Sequence, residues 1–407
     1  MTPNTGCIFE NISLFTARLS KLAEQRPTRL EGPDQTRSAV ATDAPTLHHQ
    51  HVRLYDQIRS VHLERAHELD PAAIVYRVKR YDFDPALATG IELAQAGTVD
   101  AARIAFRSRI TRVEVDEPLY LDALPRTAAV LAVLGVKRLF GAPRAQVATY
   151  AIENLDPFEA RPPRLRTRLR RSLQRLLSSY VWHRLDTVVY GTPGARDLYG
   201  ETYPRRPHRQ LTVEALPSPC RCSDGLPPLR DPEAVVFLGS FSPRKGFGDV
   251  LDAWPAIRSR RPSATLTLIG SGGMLERAQA AAAADPSIRL LVDPPRDIIH
   301  TELRRAHVLV LPSRRVGDWR EQIGLPLVEA LAHGCEVVTT SETGIAEFLI
   351  DEGHIVLPED ADSARIADGV DAALGRYRTA DDIRSALPVV DGRIGAGRAL
   401  FDSGIAA

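Results

Sequence analysis

The sequence predicts an α/β protein of two doubly wound domains, and three observations lead there. Apolar β-type runs alternate with helical stretches through both halves of the chain, which argues for parallel sheets covered on both faces. A Pro-rich break, Pro217-Ser-Pro-Cys-Arg-Cys-Ser-Asp-Gly-Leu-Pro-Pro, separates the halves and reads as a linker over 217–232. At 407 residues the chain has room for two domains of ordinary size.

Taken in order, residues 1–50 are polar and turn-rich, without a sustained period, and read as a disordered segment. His48, His49 and His51 lie at its end; with no carboxylate converging on them in the sequence, they read as part of a polar linker. In the first domain, 51–216, strands are expected at Ala73 to Val78, Val113 to Val115, Gln146 to Ile152 and Thr187 to Tyr190. Helices are expected at Leu87 to Ala96, Val99 to Ser108, Ala123 to Leu134 and Arg164 to Trp182. The second domain, 233–390, repeats the alternation more cleanly. Its strands are expected at Ala234 to Leu238, Thr265 to Ile269, Ile288 to Val292, Val308 to Leu311 and Glu336 to Thr339. Residues 391–407 form a terminal segment that can return to the first domain.

Composition sets few limits. Fifty-two basic residues face 51 acidic ones, so nothing in the balance calls for nucleic acid. Lysine occurs only at Lys21, Lys79, Lys137 and Lys245, which makes Lys245 conspicuous in the second half. Cys7, Cys220, Cys222 and Cys335 are too few and scattered for a disulfide framework and read as free thiols of a reducing cytoplasm. Cys220-Arg-Cys222 lacks a second pair or a suitably spaced histidine, so no metal site is expected. No apolar run reaches membrane-spanning length, and the N-terminus lacks a signal-peptide core.

The chemistry concentrates in Glu321-Gln-Ile-Gly324-Leu325-Pro326-Leu327-Val328-Glu329, followed by Ala-Leu-Ala-His-Gly334. Gly324 and Pro326 mark the start of a helix and Gly334 its end. Helical side chains lean toward the N-terminus of their helix, so Glu329 reaches back toward Glu321. Two carboxylates thus converge on free helix amides that attract an anion such as phosphate. Strand ends supply the rest: Gly239-Ser240-Phe-Ser-Pro-Arg244-Lys245-Gly246, Gly270-Ser-Gly-Gly, Pro312-Ser313, and Gly344 with Glu347.

This run resembles the Glu-seven residues-Glu signature of the group 1 retaining glycosyltransferases, glycosyltransferase family 4 with the GT-B fold. The order and spacing of motifs over residues 235 to 357 are similar throughout. The resemblance implies two Rossmann-like domains facing across a cleft, the first holding the acceptor and the second a UDP- or GDP-linked sugar. It implies transfer of a hexosyl unit with retention to a glycan, lipid-linked or small-molecule acceptor, without metal or other cofactor. Lys245, Glu321 and Asp116 are implied at the reacting centre, Lys245 at the diphosphate, Glu321 at sugar hydroxyls and Glu329 at the ribose. Gly239, Ser240, Arg244, Gly270, Arg296, Ile323, Gly324 and Leu325 are implied around the donor. Arg289 to Val292 with Pro294 and Pro295 occupy the stretch that holds the base.

Three departures accompany the resemblance. Ser240 stands where the family has an arginine, and Arg244 is the candidate replacement. In Val113-Glu114-Val115-Asp116-Glu117-Pro118 the family's second histidine is Asp116, which either orients an acceptor hydroxyl or caps the following helix. No Gly-Gly precedes Gly272, so the family's first strand and glycine-rich loop are not found, and the first domain reads as shortened or rebuilt. A degenerate nucleotide-sugar-binding protein and a nucleotide-sugar epimerase are the alternative functions. Arg161 to Arg184 holds eight arginines and no acidic residue, with leucines every four positions. It reads as a domain helix with a buried leucine stripe, with contact to an anionic membrane as the second reading. The expected location is the cytoplasm, with a peripheral place at the inner face of the membrane if that second reading holds.

Overall fold

The computed structural model describes residues 44–80, 83–159, 164–204, 207, 209–221, 229–317 and 319–402. The chain divides into two compact units. The first comprises Met1–Tyr190, Tyr199–Thr212 and Ala396–Ala407, and the second Gly191–Leu198 with Val213–Gly395.

In the first unit seven strands form one sheet: β1 His51–Ile58, β2 Ala73–Lys79, β3 Leu93–Gln95, β4 Arg112–Val115, β5 Gln146–Ala151, β6 Thr187–Tyr190 and β7 Arg209–Thr212. Their order is β3-β2-β1-β4-β5-β6-β7, and all pairings are parallel. The sequence reading does not find β1, yet β1 is an interior strand, paired with β2 on one side and β4 on the other. Its apolar signal is broken by Arg53 and Asp56, which are both buried. Arg53 lies 3.6 Å from Glu114 on β4, and Arg77 on β2 holds Asp56 with two bonds of 2.6 and 2.8 Å. Arg65, from the helix Ser60–His67, donates to Glu114 at 2.6 Å. Burial alone would push the Glu114 carboxyl up, but Arg65 and Arg53 hold it below its ordinary range. A β-strand can carry charges inward when each finds its counter-charge on a neighbour. The turn from β1 into Ser60–His67 is the single residue Arg59 and contains no glycine.

Two further expectations change. Leu87 to Ala96 is not a helix: it begins as a 3-10 turn at Pro85–Ala88 and ends in edge strand β3. Gly90 breaks it with a positive φ of 80°. Residues 44–50, expected within a disordered segment, have a defined place, and the rest of that expectation, residues 1–43, lies outside the described residues. Glu92 accepts from the amides of His48 and His49 and sits 2.7 Å from His49 Nδ1, supplying the carboxylate that the sequence alone does not place. Leu47 is buried, and its amide donates to Ser108 Oγ at 2.9 Å. At the other end, Phe401 packs edge-on against His51 at 4.8 Å, and Arg209 donates to the Ala399 carbonyl at 2.8 Å.

The basic stretch forms the helix Leu165–Arg184, and its leucine stripe is largely not buried. Ser178, Val181 and Trp182 pack inward, with Trp182 stacked on Tyr203 at 4.5 Å. On the stripe Leu165 and Leu169 stand 70% and 65% exposed and Leu173 and Leu177 are half-buried, while Leu176, outside the four-residue repeat, is 69% exposed. Length is the reason. A helix of twenty residues runs about 30 Å, whereas the four to six residues of β5 and β6 span roughly 13–20 Å, so its first turns outrun the sheet.

In the second unit six strands pair in parallel in the order β10-β9-β8-β11-β12-β13. These are β8 Ala234–Leu238, β9 Thr265–Ile269, β10 Ile288–Leu291, β11 Val308–Leu311, β12 Glu336–Thr340 and β13 Ile355–Leu357. β8, β11 and β12 are buried along their whole length, as strands covered on both faces are. The order reverses between β8 and β11, and the loops leaving their C-terminal ends flank the resulting crevice.

Candidate functional site

The second-unit residues that the resemblance places around the donor lie in, or just beyond, the loops leaving the C-terminal ends of these strands, whereas Arg289 to Leu291 of the base stretch lie within β10 itself. Gly239 and Ser240 follow β8, and Gly270 follows β9. Two bonds clamp these loops, from Gly239 N–H to the Ile269 carbonyl at 3.0 Å and from Phe241 N–H to the Ser271 carbonyl at 2.8 Å. Pro243–Lys245 is a 3-10 turn held between Phe241 and Phe247, whose rings stack at 4.3 Å in the core. Gly246 then turns into the helix Phe247–Arg260 with φ 64°, and a Cβ there would lie 2.2 Å from the Pro312 carbonyl oxygen. Only glycine allows the Lys245 turn to sit this close to the end of β11.

Lys245 and Glu321 form a buried ion pair. Ser313, just after β11, donates its hydroxyl to the same Glu321 oxygen at 3.1 Å. Burial lowers the Lys245 ammonium from its ordinary value, and Glu321 opposes that shift. The loop behind the pair is pinned from the next strand: Gly344 N–H donates to the Gln322 carbonyl at 3.0 Å, and Thr343 Oγ1 to the Ile323 carbonyl at 2.6 Å. Gly324, with φ 85°, is the N-cap of the helix Leu325–Ala332. The Leu327 and Val328 amides fold back onto the Gly324 carbonyl, and Pro326 has no N–H. The Gly324 and Leu325 amides therefore form the positive end of this helix.

Glu329 lies one turn further along and pairs with Arg296, the first residue of the helix Arg296–Arg305, at 3.2 Å. Asp293, just before it, is the single non-glycine residue with positive φ among the described residues, at 40°. Ser271 Oγ donates to its carboxylate at 2.9 Å. Strained backbone of this kind, held by a hydrogen bond from the next loop, is common where a ligand edge is read.

Arg244, the expected substitute for the family's arginine, lies with its guanidinium 4.5 Å from the Trp319 ring centre. Lys245 Nζ is 5.4 Å from the same ring. Sequence reasoning missed Trp319 and the Ser313 hydroxyl. The tryptophan sits between Pro312-Ser313 and Glu321, where an aromatic beside two cations was the available signal.

In the first unit, Asp116 ends β4. Its carboxylate accepts from the Asp56 backbone amide at 2.6 Å and so ties β4 to β1. It does not cap the following helix: Leu124–Leu139 begins at Ala123 without a side-chain cap, which removes one of its two expected roles. Burial pushes the Asp116 carboxyl up to about 7, with Arg126 pulling the other way. Glu117 accepts from the amides of Ile152 and Glu153 and from the Tyr199 hydroxyl, and burial raises it to about 8.

The expectation that no histidine accompanies Cys220 also changes. His300 and His333 come from distant positions, and with Cys220 their ligand atoms all lie within 4.8 Å of one another. Nor is Cys220 a free thiol here; it is disulfide-bonded, while Cys335 is free and buried.

Residues 232–376 match the family model described as glycosyl transferases group 1. The phosphatidyl-myo-inositol mannosyltransferase of Mycobacterium tuberculosis is 32% identical over 169 residues, covering 40% of this chain and 43% of its own. A GDP-mannose-dependent alpha-(1-6)-phosphatidylinositol monomannoside mannosyltransferase of Mycolicibacterium smegmatis is 34% identical over 149 residues, covering 35% of this chain and 39% of its own. The chain thus spans less than half the length of these relatives. Among solved structures, WaaG, a glycosyltransferase involved in lipopolysaccharide biosynthesis, aligns with TM-score 0.58 at 15% identity over 87% of this chain and 100% of its own. HepE of Anabaena, in complex with UDP, aligns with TM-score 0.58 at 12% identity over 86% and 95%. The fold is GT-B, and residues 232–376 of its second unit are similar to the group 1 glycosyl transferases.

Two outcomes are expected. Lys245→Ala and Glu321→Ala each strand a buried charge and destabilise by roughly 3 kcal/mol, while the double mutant loses less than their sum in a urea double-mutant cycle. The Asp116 carboxyl keeps its proton to about 7 when folded but releases it near 3.8 when unfolded, so its contribution to stability falls as pH rises between those values. Asp116→Asn removes this decline, up to about 1.4 kcal/mol per pH unit, in denaturation measured from pH 4 to pH 8.

Proposed function

We propose that the protein is a retaining glycosyltransferase that moves a hexosyl unit from a nucleotide-diphosphate sugar to a glycan or lipid-linked acceptor. The observation that carries this reading is the Lys245–Glu321 pair, buried at the crevice beside the N-terminus of the helix Leu325–Ala332. An ammonium and two helix amides suit a diphosphate, and the carboxylate beside them suits sugar hydroxyls. As the glycosidic bond breaks, negative charge grows on the departing diphosphate. Lys245 and the Gly324 and Leu325 amides stabilise that charge more in the transition state than in the ground state. Arg244, ordered by Trp319, supplies a second cation at the rim. Glu329, held by Arg296, is assigned to the ribose. On this reading the charge is neutralised by the protein itself, and no metal is assigned to the phosphates.

GDP-mannose is the first donor to test, because relatives at 32–34% identity are named mannosyltransferases and one is named GDP-mannose-dependent. UDP-sugars come second, since UDP is bound in a neighbour that shares the fold at 12% identity. Asp116 replaces the family's histidine with a carboxyl that titrates near 7, where a histidine would, and is assigned to orienting an acceptor hydroxyl.

An acceptor on a lipid fits the helix Leu165–Arg184. Its exposed Leu165, Leu169 and Leu176 rise among Arg164, Arg166, Arg168, Arg170, Arg171 and Arg175, with no acidic residue in the helix. Apolar side chains that enter the headgroup boundary, ringed by arginines, match an anionic surface. Among the described residues no helix is long and apolar enough to cross a membrane.

Calorimetric titration with GDP-mannose, followed by mass spectrometry of products, tests the reading; binding without transfer or hydrolysis would favour the degenerate binding protein. Lys245→Ala is expected to lower turnover by roughly two to three orders of magnitude, and unchanged turnover would remove it from the mechanism. In flotation with phosphatidylglycerol vesicles at low salt the chain rises with lipid. Leu165→Asp/Leu169→Asp stays at the bottom.

A further inference from the structure

We propose that Cys220, His300 and His333 form, once the Cys220 disulfide is reduced, a binding site for one zinc-class divalent ion. The three residues come from separate segments: the connection before β8, the helix Arg296–Arg305, and the residue that ends the helix Leu325–Ala332. Their ligand atoms lie within 4.8 Å of one another. His300 Nδ1 and His333 Nε2 are 3.1 Å apart. Two nitrogens at about 2.0–2.1 Å from a tetrahedral zinc stand roughly 3.3 Å apart, so the pair needs only a small spread.

The second ring nitrogen of His333 fixes its chemistry. Nδ1 lies 2.6 Å from the Glu329 carbonyl oxygen, which can only accept, so Nδ1 carries the proton and Nε2 the lone pair. A carbonyl orienting a histidine in this way is the usual outer partner of a metal-bound imidazole. Cys220 is held beside it, because its amide donates to the Ala332 carbonyl at 2.8 Å. One thiolate with two imidazoles selects borderline-soft ions over magnesium or calcium, and a water can complete the tetrahedron.

The sulfur makes the site redox-dependent. In the disulfide described here Cys220 has no thiolate to offer. A dithiol reductant transfers two electrons and two protons to the S–S bond, giving two thiols and its own disulfide. Metal binding then displaces the Cys220 proton to solvent. Reoxidation withdraws the sulfur and leaves two histidines.

The position gives the ion a structural task. His300 follows Arg296 by four residues and His333 follows Glu329 by four. The ion would therefore sit about 6 Å, one helical turn, beneath the Arg296–Glu329 pair and join the two helices that carry it. It stands apart from the Lys245 centre, so the inference holds whether or not the proposed transfer does.

The test is anaerobic titration of the full chain, without a histidine tag, with Co²⁺. The phosphine-reduced chain is expected to take up one equivalent, with visible bands of tetrahedral cobalt and a sulfur-to-cobalt charge-transfer band in the near ultraviolet. Zinc should abolish these bands and raise the Tm. Cys220→Ser should lose the charge-transfer band, and His300→Gln and His333→Gln should each weaken binding at least tenfold, with far-UV circular dichroism unchanged. The oxidised chain should give no charge-transfer band. The proposal is overturned if the reduced chain takes up no cobalt, if the charge-transfer band survives in Cys220→Ser, or if His300→Gln binds as the parent does.

Discussion

The second unit is organised around one buried ion pair. Lys245 and Glu321 come from loops 76 residues apart, and neither could be buried without the other. Much of the crevice reads as the scaffolding that brings them together. Phe241 and Phe247 seat the lysine turn, and Gly246 lets that turn meet Pro312. Ser313 completes the glutamate's bonding, and residues 343–344 pin the loop from behind. Close-packed loops of this kind hold charges in place before a ligand arrives, as electrostatic preorganisation requires.

The first unit solves a related problem in a different way. Its interior strand β1 carries Arg53 and Asp56 into the core, where Glu114, itself joined by Arg65, faces Arg53 and Arg77 pairs with Asp56. Asp116 and Glu117 then sit at the end of β4 with carboxyls raised into the neutral range. A carboxyl that holds its proton near pH 7 reaches that range by burial.

Two features link the candidate site to its surroundings. Arg296 and Glu329 are paired at the head of two helices, and one turn below the same helices bring His300 and His333 together. The exposed leucines and arginines of Leu165–Arg184 give the first unit an apolar and basic surface of its own.

Most of the second unit was legible from residues alone. β8 and β11 begin and end where their apolar runs do, because strands buried on both faces leave an unbroken signal. The glutamate motif announces its helix because Gly324, Pro326 and Gly334 are local stop and start signals. Local patterns failed where a residue's partner is distant. β1 was hidden because its charges are satisfied by β2, β4 and a helix, and Leu87 to Ala96 mimicked a helix while serving as a sheet edge. The direction of Arg244, the raised carboxyl of Asp116, and the meeting of Cys220 with two histidines likewise depend on contacts between remote segments. Periodicity and turn chemistry are carried by neighbours in the chain, so sequence determines them; charge pairing, burial and ligand geometry are set by neighbours in space, and only the folded structure decides those.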